Sequence, residues 1–185
     1  MKDERTGGED RSIRWGIIGC GNVVETKNGV PTYTADHSKL AGIWNRTTEK
    51  AQAWVDAQGH GKVYETMEEL LADPSIDIVY VATTPNCHKE QAIAVAQANK
   101  HCYLEKPIAG DPEEAIAHEG VMGGVREEAP LERTEIFTDV DTYPGFGQIQ
   151  DIVNELRGVP GAICTSTLDN AMKTLKITVA ARNAR

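Results

Sequence analysis

The stretch Ser12-Ile13-Arg14-Trp15-Gly16-Ile17-Ile18-Gly19-Cys20-Gly21-Asn22-Val23-Val24 decides the fold. Ile13 to Ile18 is a short apolar run ending at a glycine, the pattern of a buried strand. Gly19 permits a tight turn out of that strand, and Gly21 leaves room for a close backbone approach. A short helix then opens at Asn22, and Gly29 with Pro31 is expected to stop it early. Strand, glycine turn and helix in that order form the first half of a βαβ unit.

Outward from this unit the alternation continues. Leu40 to Trp44 reads as a second strand, and Thr48 to Gln58 as a helix with Ala51, Trp54 and Val55 on one face and Gly59 as its stop. Lys62 to Tyr64 is a third strand. Thr66 starts a helix, with Glu69 three residues on as a capping box and Leu70 and Leu71 on its buried side. Ile76 to Ala82 carries the strongest strand signal, Lys89 to Asn99 is helical, and His101 to Leu104 is a fifth strand. Parallel strands need crossover helices, so the fold class is α/β, a doubly wound parallel sheet.

Beyond Asp111 the pattern thins. Pro112 to His118 is expected to be helical, but Gly120, Gly123 and Gly124 oppose its continuation, and 126–141 is charged and poorly periodic. Phe146 to Leu156 returns to helical spacing through Phe146, Ile149, Ile152, Val153 and Leu156. Ala162 to Leu168 and Thr174 to Ala180 read as strands. The expected division is a disordered tail over 1–11, a dinucleotide-binding domain over 12–118, an irregular segment over 119–141, and the remnant of a second, α+β domain over 142–185.

Four motifs carry chemistry, each at the end of a predicted strand. Gly19-x-Gly21 with Asn22 and Val23 can receive a pyrophosphate, which a helix N-terminus attracts. Val24 holds the fingerprint's third position, where Gly or Ala is usual. Asn45-Arg46 follows the second strand. An NAD site places a carboxylate there for the ribose 2′-hydroxyl, whereas Asn45 repels nothing and Arg46 can pair with a 2′-phosphate. NADP is therefore expected over NAD.

Thr83-Thr84-Pro85-Asn86-Cys87-His88 follows the central strand, where small hydroxyls and a proline would line the cofactor and His88 would either touch ligand or open the next helix. Glu105-Lys106-Pro107 follows the last strand. Lys106 there is the candidate catalytic residue, a hydrogen-bond donor to a substrate oxygen. Glu105 is an acceptor for ribose or for Lys106, and the proline marks a candidate cis bond.

The bulk numbers narrow the partners. Over 185 residues the net charge is −9, which excludes the basic face of a general nucleic-acid or membrane-surface binder. Cys20, Cys87, Cys102 and Cys164 form no C-x-x-C pair, so no metal site is expected and the thiols read as reduced. The polar start lacks an apolar signal core, and no apolar run reaches membrane-spanning length. A cytoplasmic location follows as an expectation.

Trp15 to Asn22, Ala82 to His88 and Glu105-Lys106-Pro107, in this order and spacing, resemble the Gfo/Idh/MocA family of oxidoreductases. The resemblance covers Ser12 to about Ala115. It implies a two-domain NAD(P)-dependent enzyme that passes a hydride between nicotinamide C4 and a carbinol carbon of a sugar, cyclitol or related diol. By position it implies Gly19, Gly21 and Asn22 on the pyrophosphate, and Asn45 and Arg46 at the adenosine ribose. Thr83, Thr84, Asn86 and His88 would lie along the nicotinamide, and Lys106 between the nicotinamide ribose and the reacting oxygen.

Tyr143-Pro144-Gly145-Phe146 and the stretch from Gly158 to Ile163 resemble later family elements, while 119–141 does not. In the family the second domain's sheet covers the nicotinamide, supplies an Asp/His pair for proton transfer and mediates association. His118 is the only histidine after Lys106 and lies outside that motif. A polyol- or sugar-like small molecule is the expected partner, with homo-oligomers also expected. The alternative is a non-catalytic dinucleotide-binding sensor or regulatory module.

Overall fold

A computed structural model describes residues 11–107 and 146–162. Among them the strands β1 (Ile13–Ile18), β2 (Ser38–Trp44), β3 (Lys62–Val63), β4 (Ile78–Val81) and β5 (His101–Leu104) form one sheet. Its order is β3-β2-β1-β4-β5, and every pairing is parallel. The helices are α1 (Pro31–Thr34), α2 (Thr48–Gln58), α3 (Met67–Ala72), α4 (Pro85–Gln97) and α5 (Phe146–Leu156). The expected doubly wound α/β fold is present.

Alternation along the central strands builds a core on each face. Ile13, Trp15 and Ile17 of β1, Ile78 and Tyr80 of β4 and Tyr103 of β5 belong to one core, together with Val24, Trp54 and the α5 residues Ile149, Ile152 and Val153. Ile18, Val79, Val81 and Leu104 belong to the other, under Leu70 of α3 and Ala92 and Val95 of α4. Successive strand residues point to opposite faces, so a strand buried on both sides must be apolar throughout. All four residues of β4 are buried.

Several boundaries match the sequence reading, and others shift for identifiable reasons. Glu69 N–H donates to Thr66 Oγ1 at 3.1 Å, the forward arm of the expected capping box. The reverse arm reaches one residue further back, with Glu65 N–H donating to Glu69 Oε2 at 3.1 Å. As expected, the first helix ends at Gly29, and the crossover continues beyond it. Its helical turns widen into a π turn over Val24–Asn28, closed by Gly29 N–H on Val24 O at 3.1 Å, and Pro31 then begins α1. Proline cannot continue a helix but suits its first position.

For the same reason α4 starts at Pro85, four residues before the expected Lys89, with Thr84 as its extended cap residue. Pro85 to His88 therefore lie in the first turn of a helix rather than in a loop. The readings over 112–118, 119–141 and 174–180, and 163–168 of the expected strand from Ala162, fall outside the described residues.

The sequence division set α5 apart, with 142–185. The apolar face of α5 joins the core of β1, β4 and β5. Ile149 and Val153 are fully buried, and an amphipathic helix needs such a partner to fold. Gln150 Oε1 also accepts from Asp36 N–H, in the turn before β2, at 2.8 Å. Replacing Ile149 with Ala should cost the whole sheet domain about 2–5 kcal/mol, as a large-to-small change in a shared core does. Urea unfolding followed by tryptophan fluorescence and by backbone circular dichroism checks this. A midpoint within error of the wild type would mean that α5 does not share the core.

Candidate dinucleotide site

Register brings the four motifs to one edge. Ile18 pairs with Trp44 on one side and with Val81 on the other, and Val81 pairs with Leu104. The segments beginning at Gly19, Asn45, Ala82 and Glu105 therefore leave the sheet side by side at its carboxyl end. Between β1 and β4 the chain's crossovers depart in opposite directions. That switch point is where open α/β sheets form their ligand crevice.

The first loop is shaped by contact with its neighbours. Gly19 has φ 99°, and a Cβ there would stand 2.9 Å from both Ala82 O and Thr83 Cγ2. Its N–H donates to Trp44 O at 2.8 Å, and the next N–H, that of Cys20, donates to Asn45 Oδ1 at 3.1 Å. Gly21 differs: a Cβ there would meet nothing nearer than Ala82 O at 4.0 Å. The protein's own packing demands a glycine at 19 but not at 21. An unfilled cradle over the end of β4 fits a ligand backbone such as a pyrophosphate. Asn22 is exposed beside it, and Val23 half-buried.

Asn45 supports this turn. Besides accepting from Cys20, its Nδ2 donates to Thr47 O at 2.9 Å. Arg46 is exposed and makes no hydrogen bond or ion pair among the described residues. Burial raises the pKa of the Cys20 thiol, Glu25 adds to the rise, and Lys50 opposes it. Cys20 thus stays a neutral part of the wall.

In the third motif, Thr83 Oγ1 donates to Gln91 Oε1, and Thr84 Oγ1 donates to Asn86 Oδ1 at 2.6 Å. Pro85 is half-buried, while Thr84 and Asn86 are exposed at the head of α4. His88 is placed differently from the expectation that it lines the nicotinamide. It has no exposed surface, its Nδ1 lies 3.0 Å from Pro107 O, and its Nε2 lies 3.1 Å from Thr83 O. The ring lies between the Thr83 and Pro107 carbonyls and so joins the segments after β4 and β5.

The fourth motif divides its two charges. Lys106 is exposed, and the Lys106–Pro107 bond is cis. Glu105 is buried. Its Oε1 accepts from Tyr80 Oη at 2.8 Å and Asn28 Nδ2 at 2.9 Å, and its Oε2 accepts from Lys106 N–H at 3.0 Å. The sequence reading missed Asn28, Tyr80 and Tyr103. The signal available was two tyrosines at one register position of neighbouring strands. Asn28 lies 52 residues from Tyr80, and no local pattern joins them.

A groove of about 680 Å³ opens at the opposite, amino-terminal edge of the sheet, lined among others by Leu71, Pro74, Asp77, Gln97 and His101. It shares no residue with the four motifs. Among the described residues there is no cluster of metal-ligating side chains, and no helix is long and apolar enough to cross a membrane.

The Gfo/Idh/MocA family model, described as an oxidoreductase family with an NAD-binding Rossmann fold, matches residues 13–120, more than half of the chain. The chain belongs to the Gfo/Idh/MocA oxidoreductase family. It is 36% identical over 103 residues to an oxidoreductase of Formosa agariphila, covering 56% of this chain and 32% of that protein. It is 34% identical over 102 residues to a 1,5-anhydro-D-fructose reductase of Ensifer adhaerens, covering 55% and 30%.

Among solved structures it resembles the WlbA dehydrogenase of Bordetella pertussis, in complex with NADH and UDP-GlcNAcA, with a TM-score of 0.57 and 31% identity over 63% of this chain and 33% of that one. This Gfo/Idh/MocA chain thus spans about a third of the length of these relatives.

The two glycines separate packing from binding. Gly19→Ala should cost about 1–3 kcal/mol of stability through its strained backbone and the contact with Ala82. Gly21→Ala should leave the melting temperature nearly unchanged and weaken dinucleotide binding. Thermal melts and calorimetry on both variants check this, and a Gly21→Ala protein as unstable as Gly19→Ala would show that protein packing alone requires the second glycine.

Proposed function

We propose that this chain is the cofactor-binding part of an NAD(P)-dependent oxidoreductase acting on a carbinol carbon of a sugar, cyclitol or related diol. One observation carries the reading. Four motifs far apart in sequence leave in-register strand ends at one switch point, with a glycine cradle beside β4 that the protein itself does not fill. The pyrophosphate would lie over Gly19, Gly21, Asn22 and Val23, and the nicotinamide half along Thr84, Pro85 and Asn86. Asn45, Thr83, His88 and Glu105 would act by holding these segments in place.

NADP is favoured over NAD. The segment after β2 carries no carboxylate at Asn45-Arg46-Thr47, and the Arg46 guanidinium stands exposed beside it. Guanidinium pairs well with phosphate, in a forked geometry that a lysine lacks.

The bound nicotinamide supplies the hydride acceptor or donor. The chain's part in the chemistry falls to Lys106, whose Nζ would donate a hydrogen bond to the reacting oxygen and hold the proton there. A polyol or sugar with adjacent hydroxyls offers the matching oxygen, in keeping with the reductase and dehydrogenase activities named for the relatives.

Calorimetric titration of the purified chain with NADPH and NADH tests the reading, and binding of neither would overturn it. Arg46→Ala should weaken NADPH by about 1–3 kcal/mol and leave NADH unaffected, the scale of one charge-assisted hydrogen bond. An equal loss for both cofactors would remove the phosphate role. Lys106→Ala should abolish polyol-dependent reduction of NADP while cofactor affinity stays within about twofold, the pattern of a group that acts on the reacting atoms.

A further inference from the structure

Glu105 is a carboxylate beneath the site with no basic partner within salt-bridge distance among the described residues. Its surroundings compensate with neutral donors, and their protons can be counted. Asn28 Nδ2 has two hydrogens and three oxygens within reach: Glu105 Oε1 at 2.9 Å, Tyr103 Oη at 3.1 Å and Tyr80 Oη at 3.3 Å. The two shorter contacts use both hydrogens. Tyr80 spends its one proton on Glu105, and Tyr103 spends its own on Gln148 Oε1 of α5 at 3.0 Å. Lys106 N–H takes the remaining carboxylate oxygen.

Every donor then has one acceptor, and the count closes with Glu105 accepting on both oxygens. Burial, with the Glu105 charge adding to it, raises the pKa of both Tyr80 and Tyr103, which keeps them phenols and donors. Their rings stack with centroids 4.7 Å apart, fixing the hydroxyls side by side.

We infer that Glu105 is a positioning residue for Lys106, and that the chain Gln148–Tyr103–Asn28–Glu105 lets α5 set the backbone from which Lys106 projects. The buried carboxylate accepts three hydrogen bonds from the protein, one of them from the Lys106 N–H, and so holds the Lys106 peptide. The inference rests on the proposed role of Lys106. It adds that a helix after the family's matched segment completes the support of that lysine. Buried polar networks of this kind are worth more intact than in part, because any member left unpaired pays its desolvation in full.

The test compares Glu105→Gln, Tyr80→Phe and Gln148→Leu with the full chain. A glutamine at 105 keeps the shape but turns an N–H₂ toward donors on one side or the other. The Lys106 amide, followed by ¹⁵N–¹H spectroscopy and hydrogen exchange, should shift and exchange about tenfold faster or more in Glu105→Gln, the weight of one charged hydrogen bond. Tyr80→Phe and Gln148→Leu should move the same resonance by less.

With NADP and a polyol, kcat should fall while KM and cofactor affinity hold. An unmoved Lys106 amide in both Tyr80→Phe and Gln148→Leu would overturn the inference, even if Glu105→Gln fails to fold. So would a Glu105→Gln protein that loses NADPH and NADH affinity about tenfold alike, since Glu105 would then touch the cofactor. Failure of the wild type to bind either cofactor would remove the proposed function, while the amide readout still decides the network.

Discussion

The end of β1 is the constraint from which the site follows. Gly19 must turn with a positive φ while its Cα passes against Ala82 O, and its N–H must reach Trp44 O. These contacts tie the loop after β1 to the ends of both neighbouring strands. With any side chain at 19, the β1 loop would be pushed off β4 and the crevice between them would lose its floor. The open space over Gly21 exists because Gly19 has already placed the chain.

Around that floor the polar residues divide into two groups. The inward group is Asn45 and Thr83, half-buried, with His88 and Glu105, buried: Asn45 and His88 meet backbone groups, Thr83 donates to Gln91, and Glu105 accepts from Tyr80, Asn28 and the Lys106 N–H. Arg46, Thr84, Asn86 and Lys106 stand exposed at the same edge. Each outward residue sits next to, or within two positions of, an inward one. A buried polar group in a low-dielectric setting is costly unless paired, and once paired it is rigid. The inward group thereby gives the outward group fixed starting points. His88 illustrates the arrangement, since one ring spans from the segment after β4 to the segment after β5.

Family membership and site geometry meet at the matched segment 13–120, and α5 lies beyond it. Yet α5 fills the core face under β1, β4 and β5 and reaches Tyr103 through Gln148. Its apolar stripe, Ile149, Ile152 and Val153, is buried in the same core as the strand residues.

The strands, α2, α5 and the four motifs were legible in the sequence because their signals are local. They are apolar period, a stop at Gly59, a capping box at Thr66 and Glu69, and glycines at a strand end. Local pattern also placed Lys106 and Arg46 at strand ends, which made them candidates. It misjudged α4 by four residues, where proline acted as a helix start rather than a break. Only the tertiary structure decided which polar residues face inward. That choice depends on partners such as Asn28 and Glu105, 77 positions apart. A hydrogen bond between distant residues leaves no period in the chain, so burial and pairing had to be seen in three dimensions.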